Sequence, residues 1–228
     1  MEYTDKEFCL EVWGDRACFT RPELKVERVS YDVITPSAAR AIFEAIFWKP
    51  AIRWEIVKIE VLNPIKWDEV RRNEVGALAS PGAKVYIEEK RQQRNAIILR
   101  DVRYRIHARM VYIPVDKRDD RLQKHAAGKD ENPMKYYEMF RRRAANGQCF
   151  TQPYLGTREF TAFFELVDDS RTDLTPAADI DRDLGIMLYD MDFGHPAKNV
   201  SIPAIFFRAR LEHGVMHVPE FNSKQLLR

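Results

Sequence analysis

Residues able to act on a phosphate are densest in Asn132-Pro133-Met134-Lys135-Tyr136-Tyr137 and the arginines that follow. The pattern predicts a helix. Asn132 is a good N-cap, Pro133 suits the first helical position, and Asn146-Gly147 is a stop signal. Met134, Tyr137, Phe140 and Ala144 recur at helical spacing and are expected to face a core. Lys135 then falls in the first turn, where open backbone N–H groups and the helix dipole already favour an anion. A cation there does little for the helix but suits a site that holds a phosphate. Tyr136 and Tyr137 bring hydroxyls beside it, and Arg141 and Arg142 extend the positive charge. A solvated basic helix would carry the same residues.

A second constellation lies on the strand predicted from Ile97 to Ile113. Val102, Tyr104, Ile106, Ala108 and Met110 point one way, and Arg103, Arg105, His107 and Arg109 point the other. A row of cations on one face suits a track for a nucleic-acid backbone, although an edge strand with a solvated face would look alike. His107 among the arginines is a candidate for acid–base work, against the plainer role of an exposed or phosphate-contacting histidine. His125 sits in a polar stretch and is expected to be solvated. His213 and His217 have metal-ligand spacing for a helix, but Gly214 and the alternation around them predict a hairpin instead, so no metal site is expected. Asp190 and Asp192 lack the further ligands of a two-metal site. No phosphate-binding glycine loop or nucleophile elbow is present.

The elements that must position these groups follow from periodicity and punctuation. Phe8 to Trp13 alternates as a strand expected to end at Gly14-Asp15. Thr35-Pro36 opens a helix that Pro50 stops. Ile52 to Val61 reads as a strand with a bulge near Val57-Lys58, and Ile65 to Val75 as another. Residues 76–95 read as a loop or exposed hairpin, and 116–132 as a linker. Further strands are expected at Arg158 to Val167 and Leu184 to Met191. A hairpin should run from Ile202 to Leu211, turn at Glu212-His213-Gly214 and return through Val215 to Val218. This order fits an α+β, ferredoxin-like or RRM-like domain over residues 1–150 with a smaller β-rich domain over 151–228. Sheets of that class often bind single-stranded RNA on one face.

The chain has 228 residues and a net charge of only +2, so bulk basicity points to no partner. The distribution says more. Lys84 to Arg109 holds eight basic residues against three acidic ones, and Asp168 to Asp192 holds eight acids, so one face can be basic while the total stays near neutral. Cys9, Cys18 and Cys149 are odd in number and widely spaced, which suggests a reducing cytoplasm. The acidic start resembles no signal peptide, and no run is long enough to span a bilayer.

Several strings together resemble one family. They are Trp13-Gly14-Asp15-Arg16-Ala17-Cys18-Phe19-Thr20-Arg21-Pro22, Val29-Ser30-Tyr31-Asp32-Val33, Pro36-Ser37-Ala38-Ala39-Arg40, Glu44-Ala45-Ile46-Phe47-Trp48-Lys49-Pro50, Asn63-Pro64-Ile65, Arg71-Arg72-Asn73-Glu74 and Tyr154-Leu155-Gly156-Thr157-Arg158-Glu159-Phe160. The chain resembles the Cas-five subunit of the type I-C CRISPR Cascade, the d subtype, in the RAMP superfamily. The resemblance implies a ferredoxin-like N-terminal domain and a smaller antiparallel β-sheet C-terminal domain. It implies metal-independent, cofactor-free cleavage of CRISPR repeat RNA by 2′-hydroxyl attack. The crRNA 5′ handle then stays bound as the protein joins other Cascade subunits in the cytoplasm. An alternative is a subunit that holds the handle without cutting. Duplex DNA is left open as a side ligand, and no membrane is involved.

Members of the family carry a tyrosine or histidine where this chain has Phe47, and a Lys-His pair where it has Lys135-Tyr136. Catalysis is therefore expected to involve Lys135, with Tyr136 or Tyr137 in place of the imidazole and Phe47 lining the site. RNA contacts are expected from Arg103, Arg105, His107, Arg109, Arg141 and Arg142.

Overall fold

The computed structural model describes residues 5–78, 80–82, 84–118, 131–168, 174–192 and 202–228. His125 lies outside them, as does most of the expected 116–132 linker. Nine strands and two main helices are present among the described residues: β1 (Lys6–Ala17), α1 (Pro36–Ile46), β2 (Ile52–Val61), β3 (Lys66–Val75), β4 (Arg91–Tyr112), α2 (Pro133–Ala145), β5 (Phe163–Val167), β6 (Arg182–Met191), β7 (Ala204–Leu211), β8 (Val215–His217) and β9 (Leu226–Leu227). A single helical turn, Ile87–Lys90, tips the β3–β4 hairpin.

The large sheet is antiparallel, with order β5-β1-β4-β2-β8, and β3 pairs with the first half of β4. Alternation places Phe8, Leu10 and Val12 of β1, and Tyr104, Ile106, Ala108 and Met110 of β4, in the core. The helices cover that face. Thr35 caps α1 by accepting from the Ala38 N–H, and Asn132 caps α2 by accepting from the Met134 N–H. Phe43 of α1 and Phe140 of α2 stack over Trp54 of β2, with ring centroids 4.9 Å and 4.6 Å from the indole. Burying each phenylalanine ring in this way contributes about 1.5–3 kcal/mol. The expected bulge is present, as a register shift between Ile56 and Lys58.

The expected boundary at residue 150 cuts across this sheet. β5 and β8 lie beyond it, yet β5 pairs with β1 and β8 with β2. The smaller sheet, β6-β7-β9, shares the same hydrophobic core through residues such as Met187 and Phe207.

Several expectations are corrected. β1 runs on through Gly14 to Ala17. Gly14 is there for close approach, because a Cβ on it would meet Leu155 Cδ1 at 2.5 Å and the Thr161 carbonyl at 2.9 Å. β5 begins only at Phe163, since residues 155–160 form a turn closed by the Leu155 N–H donating to the Phe160 carbonyl. The return strand after Gly214 pairs with β2 rather than β7, so the turn hands the chain from the small sheet to the large one. Gly214 has φ 75°, and a Cβ there would lie 2.1 Å from the Ala178 carbonyl. On α2 the buried residues are Pro133, Tyr136, Tyr137, Phe140 and Ala144, while Met134 is exposed. Two stripes satisfied the helical period, and the one through Tyr136 faces inward.

Candidate active site and RNA-facing surface

α2 sets the first site. Lys135 is exposed, and no carboxylate among the described residues pairs with it. The anion-favouring N–H groups expected around it are taken: Asn132 Oδ1 accepts from Met134, and the Asn132 carbonyl accepts from Lys135. The ammonium itself is thus the group offered to an anion.

The other three candidates turn away from solvent. Phe47 is 1% exposed, with Arg143 over its ring at 5.4 Å and Tyr136 at 6.3 Å between ring centroids. Tyr136 lies between Phe47 and Tyr112, and its hydroxyl donates to Glu131. Glu131 also accepts from Arg118 at 2.9 Å. Burial raises the Glu131 carboxyl, but the hydrogen bonds from Arg118 and Tyr136 outweigh it and the net shift is down. Burial, then the Glu131 carboxylate, pushes the Tyr136 phenol well above its usual value. Tyr137 packs on Phe8 at 6.3 Å, and burial followed by the charge of Asp5 raises it too. Both shifts disfavour the phenolate, the form that the base role expected for Tyr136 or Tyr137 requires. Tyr136→Phe is expected to cost about 1–3 kcal/mol of stability, because Glu131 stays buried with one donor fewer. A urea melt checks this, and an unchanged midpoint would show that the hydroxyl carries no such role.

The second site is the open face of the large sheet, opposite the helices. Arg103, Arg105, His107 and Arg109 do line one face of β4, but carboxylates from both neighbouring strands interleave with them. Glu11 of β1 accepts from Arg103 Nε at 2.7 Å. Glu60 of β2 accepts from Arg105 Nη1 at 2.6 Å, from Lys58 at 2.8 Å and lies 3.0 Å from His107 Nε2. Arg105 is 5% exposed and donates to the Thr175 carbonyl as well, so it braces the sheet rather than standing open as a phosphate contact. Arg109 has a loose contact with Glu220 at 3.8 Å. The hydrogen bond from His107 leads the groups that hold the Glu60 carboxyl far below the usual range, against its burial.

His107 borders a cleft of about 610 Å³ with Cys9, Lys58, Lys6 and Arg141 in its lining. Burial pushes the Cys9 thiol up to about 12, which makes it a poor nucleophile. Arg141 has a loose contact with Asp168 at 3.5 Å, and Arg142 is exposed. His213 pairs with Asp179 at 3.0 Å on the turn, and His217 stands on β8. Arg40 holds Asp190 through two N–H groups at 2.7 and 2.9 Å. The signal sequence reasoning missed was the pair of acids at core-excluded positions, Glu11 beside Cys9 and Trp13, and Glu60 beside Lys58.

No helix among the described residues is long and apolar enough to cross a membrane. A protein from Mannheimia succiniciproducens, named CRISPR pre-crRNA endoribonuclease Cas5d, is 50% identical over 96% of this chain and 97% of its own length. A protein of the same name from Thermus thermophilus is 42% identical over 96% of this chain and 94% of its own. Among solved structures, one titled as a CRISPR-associated protein superposes with a TM-score of 0.70 at 23% identity, and a Streptococcus mutans protein with 0.67 at 21%, each over 100% of both chains. These two share the fold. The Cas5d family of CRISPR-associated proteins (Cas_Cas5) matches residues 8–219, and with two near-full-length relatives above 40% identity the chain belongs to it.

Proposed function

We propose that this protein is an endoribonuclease that cuts CRISPR repeat RNA and keeps the crRNA 5′ handle as a Cascade subunit. The observation that carries this reading is 50% identity, over nearly the whole of both chains, to a named pre-crRNA endoribonuclease. The order β5-β1-β4-β2, with α1 after β1 and α2 after β4, supports a ferredoxin-like core. We take residues 1–150 as its main part and 151–228 as the segment that completes it and adds the small sheet.

The chemistry is attack of a ribose 2′-hydroxyl on the adjacent phosphorus. It forms a 2′,3′-cyclic phosphate and releases a 5′-hydroxyl, with no metal. Lys135 stabilises the charge that develops on the pentacovalent phosphate and supplies a proton to the departing 5′-oxygen, while the proton of the attacking 2′-hydroxyl passes to water, which returns one to Lys135. Tyr136 and Tyr137 act behind it, fixing the helix start through Glu131 and Phe8, and Phe47 packs on Tyr136 and, in the last turn, on Arg143. Exposed Arg141 and Arg142 and half-buried Arg109 are cations for the RNA backbone.

A second reading, a handle-binding subunit that does not cut, is favoured by one observation: Tyr136, Tyr137 and Phe47 are all buried. Labelled repeat RNA incubated with the protein in EDTA separates the two. Cleavage to a product with a 2′,3′-cyclic end is expected. Tight binding without cleavage, with or without added divalent ions, would favour the second reading.

A further inference from the structure

We propose that Trp13 and Phe163, with Arg103 beside them, form a platform on the open face of the large sheet on which a base of single-stranded RNA stacks. The three residues are consecutive neighbours across β5, β1 and β4: Phe163 pairs with Trp13, and Trp13 with Arg103. The two rings lie nearly parallel, 24° apart, with centroids at 6.2 Å. Phe163 is 53% exposed on an edge strand, an exposure that neither the core nor the sheet requires. Arg103 is held in place by Glu11, which accepts from both Nε and Nη2. A guanidinium anchored in this way keeps its plane available to a flat partner.

Charge points to nucleic acid rather than to a protein surface. About 14 Å along β1 from Trp13, on the same face, a cleft begins at Cys9 in which Lys6, Lys58 and Arg141 stand among Glu7, Glu60 and Asp168. Phosphates of a strand whose base sits on the platform would run toward Lys6 and Arg141, which are exposed there. The rings of the platform offer a flat apolar face beside Glu11 and Glu165, so the base and not the backbone is what the platform takes. Ring-on-base stacking needs no particular base, because every base has a flat π-face. The platform therefore adds affinity without sequence choice. The ligand's identity rests on the ribonuclease reading above.

The test uses a fluorescein-labelled ten-nucleotide single-stranded RNA of mixed sequence, with anisotropy as readout. Phe163→Ser is expected to weaken binding about 5- to 150-fold, the range for losing one stacked base. Phe163→Tyr should restore it to within about twofold. Emission quenched by RNA in the wild type should be smaller in Trp13→Phe, which keeps a ring in the sheet. Equal affinity of wild type and Phe163→Ser, with both folded by thermal melt, overturns the platform. If Phe163→Ser keeps RNA affinity but loses assembly with other Cascade subunits, the surface is a protein interface and the platform is again overturned. Should the wild type fail to cut repeat RNA while its oligonucleotide affinity depends on Phe163, the ribonuclease reading falls and the platform stands.

Discussion

Lys135→Ala is expected to slow single-turnover cleavage of repeat RNA by about 10²–10³-fold, while RNA affinity falls much less. The ammonium is the exposed group at the start of α2, and its interaction strengthens as charge builds on phosphorus. Loss of one such donor in other enzymes costs about 2.7–4 kcal/mol in the transition state. In the ground state Lys135 is one cation among several, with Arg141 and Arg142 also exposed and Arg109 half-buried. Lys135→Arg keeps charge but spreads it over a plane, so partial rescue is expected. Phe47→Tyr and Tyr136→His restore the residue types the family carries at those places. Both positions are buried, so neither is expected to raise the rate near neutral pH. A Lys135→Ala protein that cuts at the wild-type rate would remove α2 from the active site and turn attention to His107 in the cleft.

Much of the scaffold was legible because it depends on local chemistry. Thr35-Pro36 and Asn132-Pro133 mark helix starts in any context, and both caps form. The alternation of β4 gave its buried face residue by residue. The bulge in β2 showed because two alternating runs fall out of phase around Val57-Lys58. What stayed hidden depends on which strands lie side by side. The arginines of β4 looked like an open track in isolation, yet Glu11 and Glu60 come from strands 92 and 45 residues away in sequence. The inward stripe of α2 was ambiguous for a similar reason. Met134 and Tyr136 are equally good at the helical period, and only the neighbouring Phe47, Tyr112 and Glu131 decide between them. The β8 pairing with β2 rested on the close fit of Gly214 against Ala178, a contact between segments far apart in the chain.

Glu60→Ala is expected to destabilise the protein by about 3–5 kcal/mol, the cost of leaving one member of a buried ion pair uncompensated. Glu60 accepts from Arg105 and Lys58 and lies against His107, and Arg105 is almost wholly buried. Without Glu60 its guanidinium keeps the Thr175 carbonyl and a Glu11 oxygen at 3.7 Å. For a chain of this length the loss corresponds to a fall in Tm of roughly 6–20 °C. The pH dependence has a definite sign. The folded state holds the Glu60 carboxyl below its ordinary value of 4.5, so its contribution is complete above that pH and is lost as pH falls through the lower folded value. Wild-type stability should therefore decline with acidification below about 4.5 more steeply than that of Glu60→Ala. The double variant Glu60→Leu, Arg105→Met should recover much of the loss, since apolar side chains of similar size often replace a buried pair at little cost. Thermal melts across pH for the three proteins check this. A Glu60→Ala Tm within a degree or two of wild type would show that Arg105 finds other compensation, and would return it to the set of cations open to RNA.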